Sequence, residues 1–403
     1  MINRRKFFSA TAAVAMLAGL PAGPASAQEP VRVGELNSYN RFAAFAVPYR
    51  NGLQLAEAEI NAKGGVLGGR KLEFVIRDDG ATPGDAVRVA EELITREKTA
   101  FLVGTFLSNI GLAVSDFANQ KKVLFLASEP LTDALTMGAG NPYTFRVRPS
   151  TFMQTKMLVD AAKAKGVKRW AIVAPNYEYG QSAAASFKRL IKEAIPGAEI
   201  VAEQFPALGK IDAGATVSAL AAANPEGIFN VLFGADLLPF VREGNTRGLF
   251  KGKTVVSLLT GEPEYMLPLK DETPPGWIVT GYPWEQITDA PHKAFVDAYR
   301  AKFNDTPRLG SLLGYVVGYM VRDAINKAGG AETEKLMVAL KDMKFDTIVG
   351  PVTMRGIDQQ ATLGAWVGET AVKDGQGVMT NWKFIDGAAV MFTPEEVAAA
   401  KKK

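Results

Sequence analysis

The chain has 403 residues, with 46 Lys and Arg against 42 Asp and Glu and a formal net charge of +4. It contains no cysteine and one histidine, which excludes disulfides, thiolate catalysis and cysteine-ligated metals and argues against a histidine-based triad or a zinc site. We therefore expect no catalytic residues, no metal and no cofactor. Since no basic tract or arginine-rich helix occurs, we also expect no nucleic-acid partner.

The first 27 residues have the organisation of an export signal. Residues 4–6 form a basic head, residues 10–20 are apolar but too few to span a bilayer, and residues 25–27 form an Ala-x-Ala cleavage site. Residues 3–8 resemble a twin-arginine signal, and the alternative is an ordinary secretory signal. We expect a mature chain of 376 residues that starts at Gln28, carries a net charge of +1 and is soluble in the periplasm.

Residues 49–103 predict a helix, a strand, a helix and a strand in succession. Apolar residues recur at helical spacing between residues 49 and 60, and the glycines at 64 and 65 end that helix. Residues 72–77 alternate as a strand does, Thr82 is placed to cap the second helix, and residues 101–103 are a short buried strand.

The sequence EINAKGGVLG, followed by a strand ending in Asp78-Asp79, resembles the branched-chain amino-acid binding proteins of bacterial ATP-driven importers. These are the Leu/Ile/Val-binding family of type I periplasmic binding proteins. The GGVLGG segment alone predicts only a helix end and a turn, because no helix begins directly after it. The resemblance implies an α/β fold of two doubly wound parallel-sheet lobes joined by a three-strand hinge. It also implies a monomer that binds a small molecule between its lobes and delivers it to an inner-membrane permease and its ATPase.

Strands and helices alternate nearly to the end of the chain, which is typical of parallel sheets covered by helices on both faces. We predict an N-terminal lobe of residues 28–147 and 281–350 and a C-terminal lobe of residues 148–280 and 351–403. His292 is predicted at the surface. Links between lobes are expected at residues 143–149, 276–284 and 350–355. The remaining predicted strands are 31–36, 123–127, 170–174, 199–205, 227–233 and 253–259, and the remaining predicted helices are 182–194, 213–222, 237–244, 292–303 and 312–328.

Loops that follow the strands are the candidate ligand site, because parallel sheets bind ligands beyond the carboxyl ends of their strands. By resemblance, Ser108 and the amides of the helix it opens hold a ligand carboxylate; the alternative is that Ser108 only caps that helix. Glu129 stands where the family has small or hydroxyl residues, and it would repel a carboxylate. Phe45 corresponds to an aromatic that covers the ligand side chain, and Arg41 pairs with a ligand anion or with Glu129, or is simply solvated.

The second lobe contributes further candidates. Tyr179 is implied to form a wall of the cleft, or else packs at a helix start. Asp236 either contacts the ligand or caps the helix that follows, and Glu262 lies near the position of the acid that binds the ligand ammonium in the family. The predicted ligand-binding residues are Phe45, Leu107, Ser108, Asn109, Glu129, Pro130, Leu131, Thr132, Tyr179, Asp236 and Glu262.

These residues favour an amino-acid-like ligand, because a buried acid requires a cation or a good donor. The competing ligand is an aromatic carboxylate, for which Arg41 would supply the charge. A ligand-sensing module of a signalling system shares the fold and differs in its partner. A dehydrogenase on a doubly wound fold would need a Gly-x-Gly-x-x-Gly turn between the first strand and helix, and residues 35–45 contain none.

Overall fold

The computed structural model describes Met1 and residues 28–402. The predicted export signal therefore lies outside the described residues, apart from Met1. Among the residues described, none of the helices combines the length and the apolar character that a bilayer crossing requires.

Strands and helices alternate through most of the first ten strands, with departures from the prediction. Residues 128–143 contain no α-helix, and the helix at Thr151–Ala162 was not predicted. The strands are β1 (Val31–Asn37), β2 (Leu72–Asp78), β3 (Leu102–Gly104), β4 (Phe125–Ala127), β5 (Thr144–Arg146), β6 (Arg169–Val173), β7 (Glu199–Gln204), β8 (Gly227–Asn230), β9 (Thr254–Gly261), β10 (Ile278–Gly281), β11 (Met343–Thr347), β12 (Gly350–Met354), β13 (Ala365–Lys373) and β14 (Gln376–Ile385). The helices are α1 (Ala43–Ala62), α2 (Pro83–Thr95), α3 (Ser108–Lys121), α4 (Thr151–Ala162), α5 (Glu178–Ala194), α6 (Ala213–Ala222), α7 (Leu237–Thr246), α8 (Pro263–Leu269), α9 (Ala290–Phe303), α10 (Leu309–Ala328), α11 (Thr333–Leu340) and α12 (Pro394–Lys401).

Both lobes repeat one strand order. The first sheet runs β2-β1-β3-β4-β5 with all neighbours parallel, and the second runs β7-β6-β8-β9-β10 in the same relative order. In each sheet the chain reverses its direction of winding beside the first strand, which opens a crevice at the carboxyl ends of the strands. The predicted fold of two doubly wound parallel-sheet lobes is confirmed.

The C-terminal part departs from the predicted alternation. β13 pairs antiparallel with β10 and with β14, so an antiparallel pair extends the second sheet. β12 pairs with β11 in a separate hairpin, and the chain reaches the second sheet only at Ala365. Residues 350–355, where a link was predicted, mostly form β12, and the position of this link stays a prediction. The lobe boundaries themselves stay a proposal.

Local signals set the ends of the first helices. Thr82 Oγ1 accepts the N–H of Asp85 (3.2 Å), and Pro83 occupies the first position of α2, where its missing N–H costs no helical hydrogen bond. After α1, Gly65 has φ 73°, and a Cβ there would lie 2.0 Å from the Arg70 carbonyl oxygen. Val66 and Arg70 then form an antiparallel bridge, so the GGVLGG segment is the turn that was predicted.

Helix α10 returns to the first lobe and packs closely on α1. A Cβ on Gly314 would lie 2.0 Å from the Tyr49 carbonyl oxygen, and a Cβ on Gly52 would lie 1.9 Å from that of Ser311. The two glycines thus allow the helix backbones to touch. The predicted α1 stripe between residues 49 and 60 is buried against this partner and the sheet.

The surface position predicted for His292 is wrong. His292 is 1% exposed, and its Nε2 is hydrogen-bonded to the Tyr282 hydroxyl at 2.6 Å. Burial lowers the pKa of this imidazole. The helix-start position was predicted correctly, but its exposure depends on residues that are distant in sequence.

Candidate functional site

A small cavity lies between the lobes, where the carboxyl ends of both sheets meet. Its volume in this closed form is small, about 20 Å³. From the first lobe it receives residues that follow β3 and β4, and from the second lobe residues that follow β6 and β8. This is the position that the strand order predicts for a ligand. The cavity is lined by Phe106, Ser108, Glu129, Leu131, Arg148, Tyr177, Tyr179, Phe233 and Leu259.

The lobes are closed over this cavity. Thr132 Oγ1 donates to Glu178 Oε1 across the cleft at 2.5 Å, and Asp133 Oδ2 accepts from the Ser186 hydroxyl at 2.8 Å. Glu264, in the first turn of α8, accepts the N–H groups of Leu309 (3.3 Å) and Gly310 (3.0 Å) at the start of α10. A carboxylate of the second lobe thus holds the positive end of a helix that belongs to the first.

Ser108 does not cap its own helix. Its Oγ accepts the N–H groups of Leu131 and Thr132, both at 3.2 Å, and α3 has no side-chain cap. The Ser108 hydroxyl proton is consequently available for another acceptor. Within residues 28–402, the amides of Ser108, Asn109 and Ile110 also have no acceptor, as expected for the first turn of a helix. This end of the cavity can therefore bind an anion.

Arg148 is the cation of the site. It is 4% exposed, lines the cavity and makes a short ion pair with Glu262, whose side chain is equally buried. Glu129 lines the same cavity, and its Oε2 has no hydrogen-bond partner among the described residues. Arg148 can balance one of these two carboxylates; the other must hold a proton or meet a further cation.

Burial controls the protonation of these acids. It raises the pKa of Glu129 to about 7, against an opposing effect of Arg148. Burial also raises the pKa of Glu262, and the Arg148 guanidinium opposes that change. Deeper in the first lobe, burial raises the pKa of Asp79 to about 6 and that of Glu35 well above its usual value. The site therefore holds an excess of acidic groups over the buried arginine that faces them.

Aromatic rings form much of the cavity wall. Tyr179 is buried, and its hydroxyl lacks a partner among the described residues. Phe233 lies at 5.7 Å from Tyr179 and 6.0 Å from Phe106 between ring centroids. Phe45 stacks behind Phe106 at 5.3 Å and does not line the cavity. The ring of Phe45 thus supports the wall.

The structure brings together four of the predicted ligand-binding residues at the cavity surface: Ser108, Glu129, Leu131 and Tyr179. Glu262 joins them through Arg148. Leu107, Asn109, Pro130 and Thr132 flank the cavity without lining it. Their contact with a ligand stays a prediction.

Asp236 stabilises a loop of the second lobe instead of capping the helix that follows it. Its side chain does not cap α7; it accepts the N–H groups of Gly209 (2.6 Å) and Ile211 (3.0 Å) and so holds the loop after β7. Arg41 is exposed and pairs with no carboxylate within residues 28–402, so the predicted pairing with Glu129 is wrong. The guanidinium that lines the cavity with Glu129 is that of Arg148, which pairs with Glu262.

Five lining residues were missed from the sequence: Phe106, Arg148, Tyr177, Phe233 and Leu259. A signal for them existed. The first four follow a parallel strand by a few residues, and Leu259 lies near the carboxyl end of β9. The rule that ligands bind at the carboxyl ends of strands applies to all five. Arg148 was treated only as part of a link between lobes.

Comparisons with known proteins agree with this architecture. A family model described as periplasmic binding protein matches residues 39–376. Leu/Ile/Val-binding protein homolog 7 of Brucella suis is 27% identical, covering 82% of this chain and 85% of that protein. The leucine-, isoleucine-, valine-, threonine-, and alanine-binding protein of Pseudomonas aeruginosa is 26% identical, covering 78% and 82%.

The fold is also that of a solved structure. A solute-binding protein of an ABC transporter from Rhodopseudomonas palustris, in complex with 3,4-dihydroxybenzoic acid, superposes with a TM-score of 0.79 at 24% identity, covering 89% of this chain and 98% of that one. Taken with the family model, the two-lobed fold and the cavity between the lobes, these likenesses show that the chain belongs to the Leu/Ile/Val-binding family of type I periplasmic binding proteins.

Proposed function

We propose that this protein is the extracytoplasmic solute receptor of an ABC importer and binds a small amino-acid-like ligand between its lobes. The observation that carries this proposal is the charge balance around Arg148, which can neutralise only one of Glu129 and Glu262. A ligand ammonium would neutralise the other, because buried charges persist only when they are paired. The free amides at the start of α3 would donate hydrogen bonds to the ligand carboxylate.

An aromatic carboxylate is the second candidate. The buried Arg148 and the ring-lined wall favour it, and the Rhodopseudomonas palustris structure holds 3,4-dihydroxybenzoic acid. For such a ligand to bind Arg148, Glu262 would have to take a proton or move away. The Pseudomonas aeruginosa relative is named for binding leucine, isoleucine, valine, threonine and alanine, which supports the first candidate.

The pH dependence of affinity separates the two ligands. A cationic group beside Glu129 would displace the proton that this carboxyl holds below about pH 7, so the affinity for an amino acid should increase between pH 6 and pH 8. A bare carboxylate would favour protonated Glu129, and its affinity should decrease over the same interval. Titration calorimetry with leucine and with 4-hydroxybenzoate at both pH values measures this. If only the benzoate binds, and more tightly at pH 6, the amino-acid proposal is overturned.

Delivery to a permease with its ATPase, absence of catalysis and periplasmic location are part of the same proposal, since they follow the known role of the family. The ligand-sensing alternative differs only in the partner that the closed form would contact. Mass spectrometry of a periplasmic extract tests location: a mature chain should begin at Gln28. The lobe boundaries of residues 147–148, 280–281 and 350–351 are proposed on the same basis.

A further inference from the structure

The rings around the cavity meet at steep angles, so they form the walls of a box instead of a stack. Phe106 and Phe233 are inclined at 74°, and Tyr179 and Phe233 at 82°. Tyr177 lies at 6.2 Å from Phe233 and 6.1 Å from Tyr179 and is inclined at about half a right angle to both. Four of the nine residues that line the cavity are therefore aromatic and differently oriented.

The box exists only when the lobes are closed. Phe106 follows β3 of the first lobe, whereas Tyr177, Tyr179 and Phe233 follow β6 and β8 of the second. Phe45 of α1 stacks on Phe106 with an interplanar angle of 11° and also meets Tyr265 of α8 at 5.3 Å. Phe45 also lies 6.3 Å from Phe233 of the second lobe, so it supports one cavity ring of each lobe from outside the cavity.

A carboxyl group lies at one wall of this box, and the guanidinium of Arg148, paired with Glu262, lines the same cavity. Glu129 lines the cavity and is 2% exposed, with Oε2 unpartnered among the described residues. Aromatic faces carry negative potential, so rings beside a carboxylate stabilise a cation that requires no hydrogen bonds. An unsubstituted ammonium has three N–H donors, each of which needs an acceptor when buried. Glu129 Oε2 and the Tyr179 hydroxyl offer two such acceptors, and a ring face replaces a third one poorly. An N-methylated ammonium has fewer donors or none.

We infer that the ligand is a zwitterion with an N-methylated, preferably quaternary, ammonium, whose head is held by the aromatic box beside Glu129. Its carboxylate binds the Ser108 hydroxyl and the amides at the start of α3, which lie on the same cavity. This inference rests on the proposed function, and it narrows the ligand class from amino acids in general to betaine-like compounds.

Two matched ligand pairs test the inference by titration calorimetry at pH 8. Valine is compared with N,N,N-trimethylvaline, which differs only in methylation. Glycine betaine is compared with 3,3-dimethylbutanoate, which has the same shape and carboxylate but a carbon in place of the charged nitrogen. We expect the trimethylated compound of the first pair and the charged compound of the second to bind at least ten times more tightly than their partners.

A substitution tests whether the aromatic rings cause the preference for a quaternary ammonium. Phe233→Leu retains apolar volume and removes a ring face, so it should weaken binding of the quaternary compounds by 3- to 30-fold and change 3,3-dimethylbutanoate binding much less. Phe240→Leu, in the core of α7 and away from the cavity, is the control for loss of an aromatic residue from the same lobe.

The other outcomes are also decisive. Tighter binding of valine than of trimethylvaline would overturn the inference and leave the amino-acid function standing. Equal binding of glycine betaine and its carbon analogue would overturn it by showing that the box recognises only shape. Binding of 4-hydroxybenzoate, with no response to any of the amines, would reject the proposed function together with the inference.

Discussion

At the scale of single residues, the site is organised by one buried arginine among several acids. Arg148 pairs with Glu262, and both side chains are at most 5% exposed. A buried ion pair contributes little to stability by itself. Removing one partner is destabilising, because the other charge then remains buried without a partner or water to solvate it. The same reasoning explains why Glu129, without a partner of its own, has its pKa raised by burial to about 7.

Glu129 should make the stability of the ligand-free protein depend on pH. Its folded pKa of about 7 lies above the usual 4.5, so the folded state retains a proton that the unfolded chain releases. The free energy of unfolding should therefore fall as pH rises from 4.5 to 7, by roughly 3 kcal/mol at most from this group. Urea unfolding at pH 5, 6, 7 and 8 measures the slope. Glu129→Gln should reduce it without abolishing it, because Asp79 and Glu35 act in the same direction. An unchanged slope in Glu129→Gln would show that this carboxyl is ionised in the free protein.

Removing the Arg148 side chain should leave the buried Glu262 carboxylate without its partner. We expect Arg148→Met to lower the free energy of unfolding at pH 8 by about 3–5 kcal/mol, because an unpaired buried carboxylate remains. At pH 5 the loss should be smaller, since Glu262 can then take a proton. The double variant Arg148→Met with Glu262→Gln is the control and should recover most of the lost stability. Additive losses in the double variant would mean that the two side chains do not interact.

At the scale of secondary-structure elements, the contact between α1 and α10 connects the first and third chain segments of the N-terminal lobe. Residues 49–60 carry the apolar stripe that identifies α1, but they do not reveal which helix covers it. Gly314 and Gly52 allow the backbones of the two helices to touch. Close packing of this kind tolerates little added volume.

Gly314→Ala should test that contact. The added Cβ would lie 2.0 Å from the Tyr49 carbonyl oxygen, a backbone atom that cannot rotate away, so we expect a loss of at least about 1–3 kcal/mol. Gly84→Ala in α2 is the matched control, because nothing lies within 4 Å of its Cβ position. There, alanine should be neutral or stabilise by about 0.5–1 kcal/mol. Chemical unfolding of both variants measures the difference, and equal effects would contradict the close approach.

At the scale of the whole molecule, the structure is a closed form in which contacts cross the cleft. The carboxylate of Glu264 on the amides of Leu309 and Gly310 is one of these contacts, and it links α8 of one lobe to α10 of the other. A contact made only in the closed form shifts the equilibrium between open and closed lobes by its own free energy.

Glu264→Gln should therefore favour the open form. Loss of a charge-assisted hydrogen bond, worth about 1.5–3 kcal/mol, should shift the closing equilibrium roughly 10- to 100-fold and weaken ligand binding through that shift. Small-angle scattering of the free protein should give a larger radius of gyration for the variant than for the wild type, and ligand should reduce both. Glu272→Gln is the control, because Glu272 pairs with Arg242 at the surface of the second lobe. Equal radii in Glu264→Gln and the wild type would show that this contact does not hold the lobes together.

The sequence by itself determined the features that are local in the chain. Thr82, Pro83 and the glycines after α1 set helix ends through their own backbone and hydrogen-bonding properties, and the EINAKGGVLG passage identified the family. The rule for carboxyl ends of parallel strands indicated which loops to consider, and the family resemblance then singled out Ser108, Glu129 and Tyr179 within them. Each of these inferences depends on residues that are close together in sequence.

Only the tertiary structure decided which distant side chains meet. Arg148 and Glu262 are 114 positions apart, and no local sequence pattern around either residue predicts their contact. His292 is buried because Tyr282 and the surrounding core cover it, and Asp236 binds a loop that precedes it by more than twenty residues. The four-sided aromatic box combines rings from two lobes and exists only after closure. The periodicity of apolar residues indicates which face of a helix or strand is buried. It does not indicate which residues cover that face, because those residues are brought there by the folding and closing of the lobes.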